Sequence, residues 1–377
     1  MGPASIQKLY DEIAAGRARG FTVPAFNLRG LVHESARAIF RAAKRTDAGA
    51  FIFEISKGEM SYTAIRPAEF SSAVLRAGER EGWTGPVFLQ GDHFQFDPGE
   101  HARDPGGETL RIKALTREAI EAGFLNIDID ASTLVDLRRP TLREQQRENY
   151  ERTAELTEYI RALKPEVSVG GEIGEVGKTN STVAEFEAFF EGYGECWRGK
   201  PISKMSVQTG TAHGGVVLPD GSRANVSLDF AVLRDISAAC RRRGLAGTVQ
   251  HGASTLPDEM LAEFPKHDAV EIHLATGFQQ AIFNHPRFPK ELRKEQARWI
   301  EENRPPEWRS GATPAQNFEK CVKRTWGPLK KRFADLPRES LDAIMETLEE
   351  KFASTMTRLG VKGTRGLVEG LVPSQGA

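Results

Sequence analysis

Short apolar runs alternate along the chain with longer stretches whose apolar residues recur at helical spacing. Eight runs stand out: FTVPAFNL (21–28), AFIFEIS (50–56), VFLQGDH (87–93), FLNIDID (124–130), VSVGGEIG (167–174), SKMSVQTG (203–210), GTVQHGAS (247–254) and AVEIHLAT (269–276). Buried strands of a parallel sheet read this way. Between them lie ESARAIFRAAKRT, TLRIKALTREAIEAG, LREQQRENYERTAELTEYIRALK and DFAVLRDISAACRRRG, several ending at a glycine where a helix C-terminus is expected. Eight such units over roughly 260 residues predict an α/β fold, a (β/α)8 TIM barrel. The reading assigns residues 1–286 to the barrel and an N-terminal helix, 287–360 to a helical extension of the same domain, and 361–377 to a weakly ordered tail. The long exit of the third run, FQFDPGEHARDPGG, is expected to cover the cavity as a lid.

In such a barrel the C-terminal strand ends form the active face, so polar residues that end the runs converge. They are Asn27, Ser56, Asp92 with His93, Asp130, Glu172, His213 just after the sixth run, His251 and His273. An Asp-His pair at one strand end is commonly a turn residue and a solvated ring, and a single histidine is more often structural than a ligand. Three histidines and a carboxylate from separate strands are another matter. They suit a catalytic Zn2+ site, because neutral imidazoles bind a borderline-soft divalent ion and leave a position for substrate.

Charge narrows the partners. Lys plus Arg number 51 against 52 Asp plus Glu, a balance that gives no footing to a nucleic acid or polyanion. Cys196, Cys240 and Cys321 are far apart and show no metal-type spacing, so neither a disulfide framework nor a cysteine metal site is expected. The N-terminal stretch MGPASIQKLYDEIAAGRARG has no apolar h-region, and no apolar run approaches the ~20 residues that span a bilayer. A soluble, cytoplasmic protein without a membrane partner is the expectation.

Over residues 5–286 the chain resembles the class II, metal-dependent fructose-bisphosphate aldolases and their ketose-bisphosphate relatives. The likeness rests on VPAFN, FEIS, GDH, AIEAGFLNIDIDAS, GEIGEVG, GTAHGG followed by LDFAVLRDI, QHGAS and EIHLAT, in that order. It implies an aldehyde-lyase with Zn2+ held by His93, His213 and His251, and Glu172 at the metal as an alternative ligand. Asp92 would handle the proton on the aldol hydroxyl. Asn27, Ser56 and Asp130 would line the substrate cavity, and Gly214, Ser254 and Thr276 would surround a phosphate. His273 stands among the substrate-facing residues. The chemistry is coherent, since breaking a C–C bond beside a ketone builds charge that a Lewis acid stabilises while a neighbouring carboxylate moves the hydroxyl proton. The family's habit of pairing implies a homodimer or larger homo-oligomer acting on a sugar phosphate.

Departures from the family pattern fall on the substrate side. The carboxylates of the strand-five loop are replaced by Lys178, Thr179 and Asn180, leaving Glu175, Glu185 and Glu187 as candidates for the carbon base. The lysine expected after the sixth-strand His-Gly pair is absent, with Val216 and Val217 there instead. In the eighth run His273 and Ala275 replace an amide and a carboxylate. A ligand set kept and a substrate shell changed point to a ketose other than fructose 1,6-bisphosphate. Two other readings remain open: an isomerase or epimerase on the same metal barrel, and a non-catalytic support subunit. The basic stretch VKRTWGPLKKRF, with Lys323, Arg324, Lys330 and Lys331, reads either as an interface or as a solvated helix.

Overall fold

Eight parallel strands close on one another in the computed structural model, which describes residues 2–174, 179–210, 217–221, 228–253 and 256–372. In chain order they are β1 (Val23–Asn27), β2 (Ile52–Ser56), β3 (Val87–Gln95), β4 (Asn126–Asp130), β5 (Ser168–Glu172), β6 (Lys204–Val207), β7 (Thr248–Gln250) and β8 (Ala269–Leu274). Each pairs with the next, and β8 pairs back onto β1, with His273 beside Ala25. The expected (β/α)8 barrel is therefore present, and each of its strands falls inside one of the eight runs or extends it by two residues. Residues facing outward, such as Phe53, Ile127, Val169 and Ile272, are fully or almost fully buried beneath the helices.

The inward faces differ from those of an ordinary barrel, whose layers are mostly Val, Ile and Leu. Here Glu54, Gln90, Asp128, Lys204 and Glu271 point inward, each no more than 5% exposed. Lys204 Nζ reaches Gln90 Oε1 at 2.9 Å, Asp128 Oδ2 at 2.9 Å and Glu271 Oε1 at 2.5 Å. The bottom is plugged by the chain start: Pro3–Ala4 pairs with the beginning of β3, and the Tyr10 hydroxyl, on the helix Gln7–Ala14, donates to Glu271.

The outer ring is not closed as the sequence suggests. Between β7 and β8 the described residues form 3-10 turns, Asp258–Glu263 and Pro265–His267, where the barrel pattern calls for an α-helix. The long helix Arg338–Arg358 then packs between those turns and the helix Val32–Thr46. Its Phe352 ring lies 5.0 Å from that of Phe26 and 4.6 Å from that of Phe278. So part of the stretch read as an extension supplies the ring's last helix.

The tail also differs from the expectation through residue 372. Val361 and Val368 are fully buried, Arg365–Leu371 is helical, and Thr364 Oγ1 accepts hydrogen bonds from Gly49 N and Ala50 N, both at 3.1 Å. Gly360 and Gly363 adopt positive φ and form the turns that dock this segment. Thr364→Val is expected to leave two buried N–H groups without partners and to cost about 1–3 kcal/mol in chemical denaturation. Nor is the third-strand exit a lid. It forms the helix Pro98–Arg103, which lines a separate cleft with Thr133 and Glu148.

Candidate active site

The adjacent Asp92 and His93 are aimed by a bulge. Side chains of a regular strand alternate, so Asp92 and His93 should face opposite ways. The register between β3 and β4 shifts between Gly91 and Phe94, and His93 takes φ +41°. A bulge of this kind re-aims a side chain, and left-handed backbone on a bulky residue is a strained feature that clusters at functional sites. Both side chains thereby line the cavity at the barrel mouth. Gly91 permits it, because a Cβ there would sit 2.5 Å from the Phe94 ring.

The two described histidine ligand candidates meet at this point. The rings of His93 and His251 are 4.2 Å apart between centroids. His93 Nδ1 lies 3.0 Å from Asp130 Oδ2 and 3.1 Å from Glu172 Oε2, and His251 Nδ1 is 3.7 Å from Glu172 Oε1. Asp92, His93 and His251 offer donor atoms within 4.8 Å of one another, as do His93, Asp130 and Glu172. Burial would lower the pKa of His93, but Asp92 and Glu172 overcome it and hold it well above the ordinary 6.5. A field that favours a proton on a buried imidazole favours a cation there, so donor types and electrostatics both fit a divalent metal. His213 lies outside the described residues, as do Gly214 and Ser254.

Asp130 is placed differently from the expected cavity-lining role. It is almost fully buried, and accepts from Ser132 N at 3.1 Å, Ser132 Oγ at 2.7 Å and Gln95 Nε2 at 2.6 Å. His93 Nδ1 lies beside both Asp130 and Glu172, and a carboxylate in that place is the arrangement common behind metal-bound imidazoles.

His273 lines the cavity and is held from behind by carboxylates. Its Nδ1 is 3.1 Å from Asp92 Oδ1, and its Nε2 is 2.6 Å from Glu271 Oε1. With both ring nitrogens engaged by carboxylates, it ties Asp92 to the charged layer around Lys204. Burial would raise the pKa of Asp92, but His93 and His273 together hold it well below the usual carboxylate range. Asp92 is thus held as a carboxylate at the cavity wall.

The remaining wall comes from the first two strand exits and from the C-terminal part of the chain. Ser56 caps the helix Lys57–Thr63, accepting from Glu59 N while Glu59 accepts from Ser56 N, a capping box. The same Glu59 accepts from Asn27 Nδ2 and from Arg29 Nε, both at 2.6 Å. Arg29 Nη1 reaches Thr276 Oγ1 at 3.5 Å. The turn Val322–Thr325 brings Lys323 to the cavity, and Gly327 lets it seat, since a Cβ there would come 2.3 Å from the Tyr62 carbonyl oxygen. The cavity holds about 390 Å3. Of the sequence-predicted residues, Asn27, Ser56, Asp92, His93, His251, His273 and Thr276 line it.

Arg29, Glu59, Tyr62 and Lys323 line it too, unanticipated. The S-x-x-E spacing of Ser56 and Glu59 was a readable signal for one of them; nothing local marks the others. Neither Glu185 nor Glu187, the described candidates for the carbon base, lines the cavity: Glu185 completes a capping box with Thr182, and Glu187 accepts from Arg243 at 2.6 Å. Glu175 lies outside the described residues.

A family model described as Fructose-bisphosphate aldolase class-II matches residues 7–364. No curated protein sequence matches the chain. Among solved structures it is similar to a fructose-bisphosphate aldolase from Campylobacter jejuni, with TM-score 0.57 and 18% identity over 96% of this chain and 97% of that one. It is also similar to the fructuronate-tagaturonate epimerase UxaE from Cohnella laeviribosi, with TM-score 0.65 and 13% identity over 92% of this chain and 83% of that one. At these identities the structural likeness is one of fold.

Proposed function

The chain belongs to the class II fructose-bisphosphate aldolase family, and from that premise we propose that it is a Zn2+-dependent, aldolase-type lyase acting on a modified ketose. The observation that carries the reading is the gathering of His251, Asp92 and Glu172 around His93 at the barrel mouth. His93, His251 and Glu172 would hold the ion, together with His213. Zn2+ supplies a Lewis acid beside the substrate carbonyl. Asp92, ionised and fixed by His273, accepts the hydroxyl proton as the C–C bond breaks, and returns it when the bond forms. Asp130 keeps the His93 ring in place.

A second reading, epimerisation on the same site, is favoured by the similarity to UxaE and by the altered substrate shell, in which Ala275 lines the cavity without a carboxylate. A non-catalytic support role has less behind it, because such a subunit has no need of this donor set. No described helix is long and apolar enough to cross a membrane. A cytoplasmic homo-oligomer is part of the proposal.

The test is product analysis by NMR of the Zn2+-loaded protein on a panel of ketoses and keto acids. Chelator-sensitive release of an aldehyde fragment is expected; accumulation of an epimer with no fragment selects the second reading. Fructose 1,6-bisphosphate is expected to be poorer than the best substrate by at least about 100-fold in kcat/KM, the equivalent of two lost contacts of about 1.4 kcal/mol each. Equal values for the two substrates would contradict the altered-shell argument.

A further inference from the structure

Residues two apart on a strand share a face, and β8 turns Glu271 and His273 inward together. At its outer nitrogen His273 stands between two carboxylates: Nδ1 is 3.1 Å from Asp92 Oδ1 and 3.2 Å from Glu54 Oε2. A small swing of the ring would therefore hand the hydrogen bond from Asp92 to Glu54. What fixes the ring is its other nitrogen, 2.6 Å from Glu271 Oε1.

Glu271 is held in its turn. Its Oε1 also accepts from Lys204 Nζ at 2.5 Å and from Gln90 Nε2 at 2.8 Å. Donors on one oxygen alone leave a carboxylate able to turn about its terminal C–C bond; engaging the second oxygen stops it. Among the described residues the donor to Oε2 is the Tyr10 hydroxyl, from the helix Gln7–Ala14 at the opposite end of the barrel. Tyr10 is 1% exposed. A line of buried contacts thus runs from the first helix to the cavity wall, through Tyr10, Glu271, His273 and Asp92. Charge balance alone does not call for it, because Asp128 Oδ2, 2.9 Å from Lys204 Nζ, also gives that ammonium a counter-charge.

We propose that Glu271 is a positioning residue of the active site: through His273 it keeps Nδ1 on Asp92 rather than on Glu54, with Tyr10 setting the rotation of the Glu271 carboxylate. The N-terminal helix thereby acts on catalysis from the far end of the barrel. The proposal rests on the reading of Asp92 as the proton acceptor and goes beyond it by naming what aims that carboxylate.

Two measurements on the Zn2+-loaded full chain test this, in Tyr10→Phe, in Glu271→Gln and in Thr364→Val, a control that loses stability away from the site. The first is heteronuclear NMR of imidazole N–H protons with isotope-labelled histidine. The chain has 8 histidines, and the spectrum of His273→Asn identifies the His273 signals. In the parent and in Thr364→Val, the Nδ1–H signal should shift when Asp92→Asn is added. In Tyr10→Phe and Glu271→Gln it should respond to Glu54→Gln instead. The second is turnover of the panel ketose that the parent cleaves or epimerises fastest. There kcat is expected to fall about ten-fold in Tyr10→Phe and roughly 10- to 100-fold in Glu271→Gln, the scale of a misplaced reacting group, with KM within about two-fold of the parent. Tyr10→Phe removes one hydroxyl and keeps every charge, so it decides the matter even where Glu271→Gln does not fold. An Nδ1–H signal that stays tied to Asp92 in Tyr10→Phe overturns the proposal, as does a kcat loss no larger than that of Thr364→Val. The lyase reading fails separately: if no ketose reacts, that reading falls and the NMR signals still decide the positioning.

Discussion

Lys204→Met is expected to destabilise the protein by about 3–5 kcal/mol, the usual cost of removing one partner from a buried ion pair. Lys204 is 1% exposed, and burial would lower its pKa, yet Asp128 and Glu271 raise it, so the ammonium is the counter-charge of the barrel interior. Methionine fills the space and leaves two buried carboxylates facing each other. The deficit should depend on pH. Burial pushes the Asp128 carboxyl up to about 6 from an ordinary 3.8. A folded-state pKa above the unfolded value means that the contribution of this group is fully present below about pH 4 and is lost as pH rises through about 6. Without the lysine that carboxyl holds its proton to still higher pH. The destabilisation of Lys204→Met should therefore be smallest near pH 5 and grow toward neutrality, as read by urea denaturation across that range. A loss that does not vary with pH would mean that packing of the lysine stem dominates.

Asp92→Asn is expected to lower turnover by about 10²- to 10⁴-fold, the range for loss of a general acid or base. The amide fits the same space, so metal content should stay near that of the parent protein, while thermal stability falls because His273 loses the carboxylate at its Nδ1. That combination separates a proton-transfer role from a ligand role. Unchanged turnover on a confirmed substrate would move proton transfer to another group.

The strands were legible because each is an apolar run, and the mouth was legible because its polar residues end those runs. The charged interior was harder to see, although the sequence carries it: Glu54 in IFEIS, Lys204 in SKMSV and Glu271 in AVEIHL are charges set at inward-facing positions of otherwise apolar strands. Strand alternation would have pointed them inward. The bulge at His93 was not legible, since it depends on contact between Gly91 and the Phe94 ring rather than on periodicity. The role of the helix Arg338–Arg358 was hidden for a related reason, because a strand's covering helix is expected soon after it and this one follows β8 only after several other elements. Arg29, Tyr62 and Lys323 share a wall only once the chain is folded. Asp130 was given a place in the substrate cavity by the family resemblance; the fold adds its hydrogen bonds to Ser132 and its position beside His93, which no single-strand pattern shows.

The most direct measurement is elemental analysis of bound zinc, after equilibration with Zn2+ and removal of excess, for the parent protein and for His93→Ala and His251→Ala. The account predicts one Zn2+ per chain in the parent and well under half that in each variant, with folding preserved by circular dichroism. Stoichiometric zinc in both variants, or none in the parent, would contradict it.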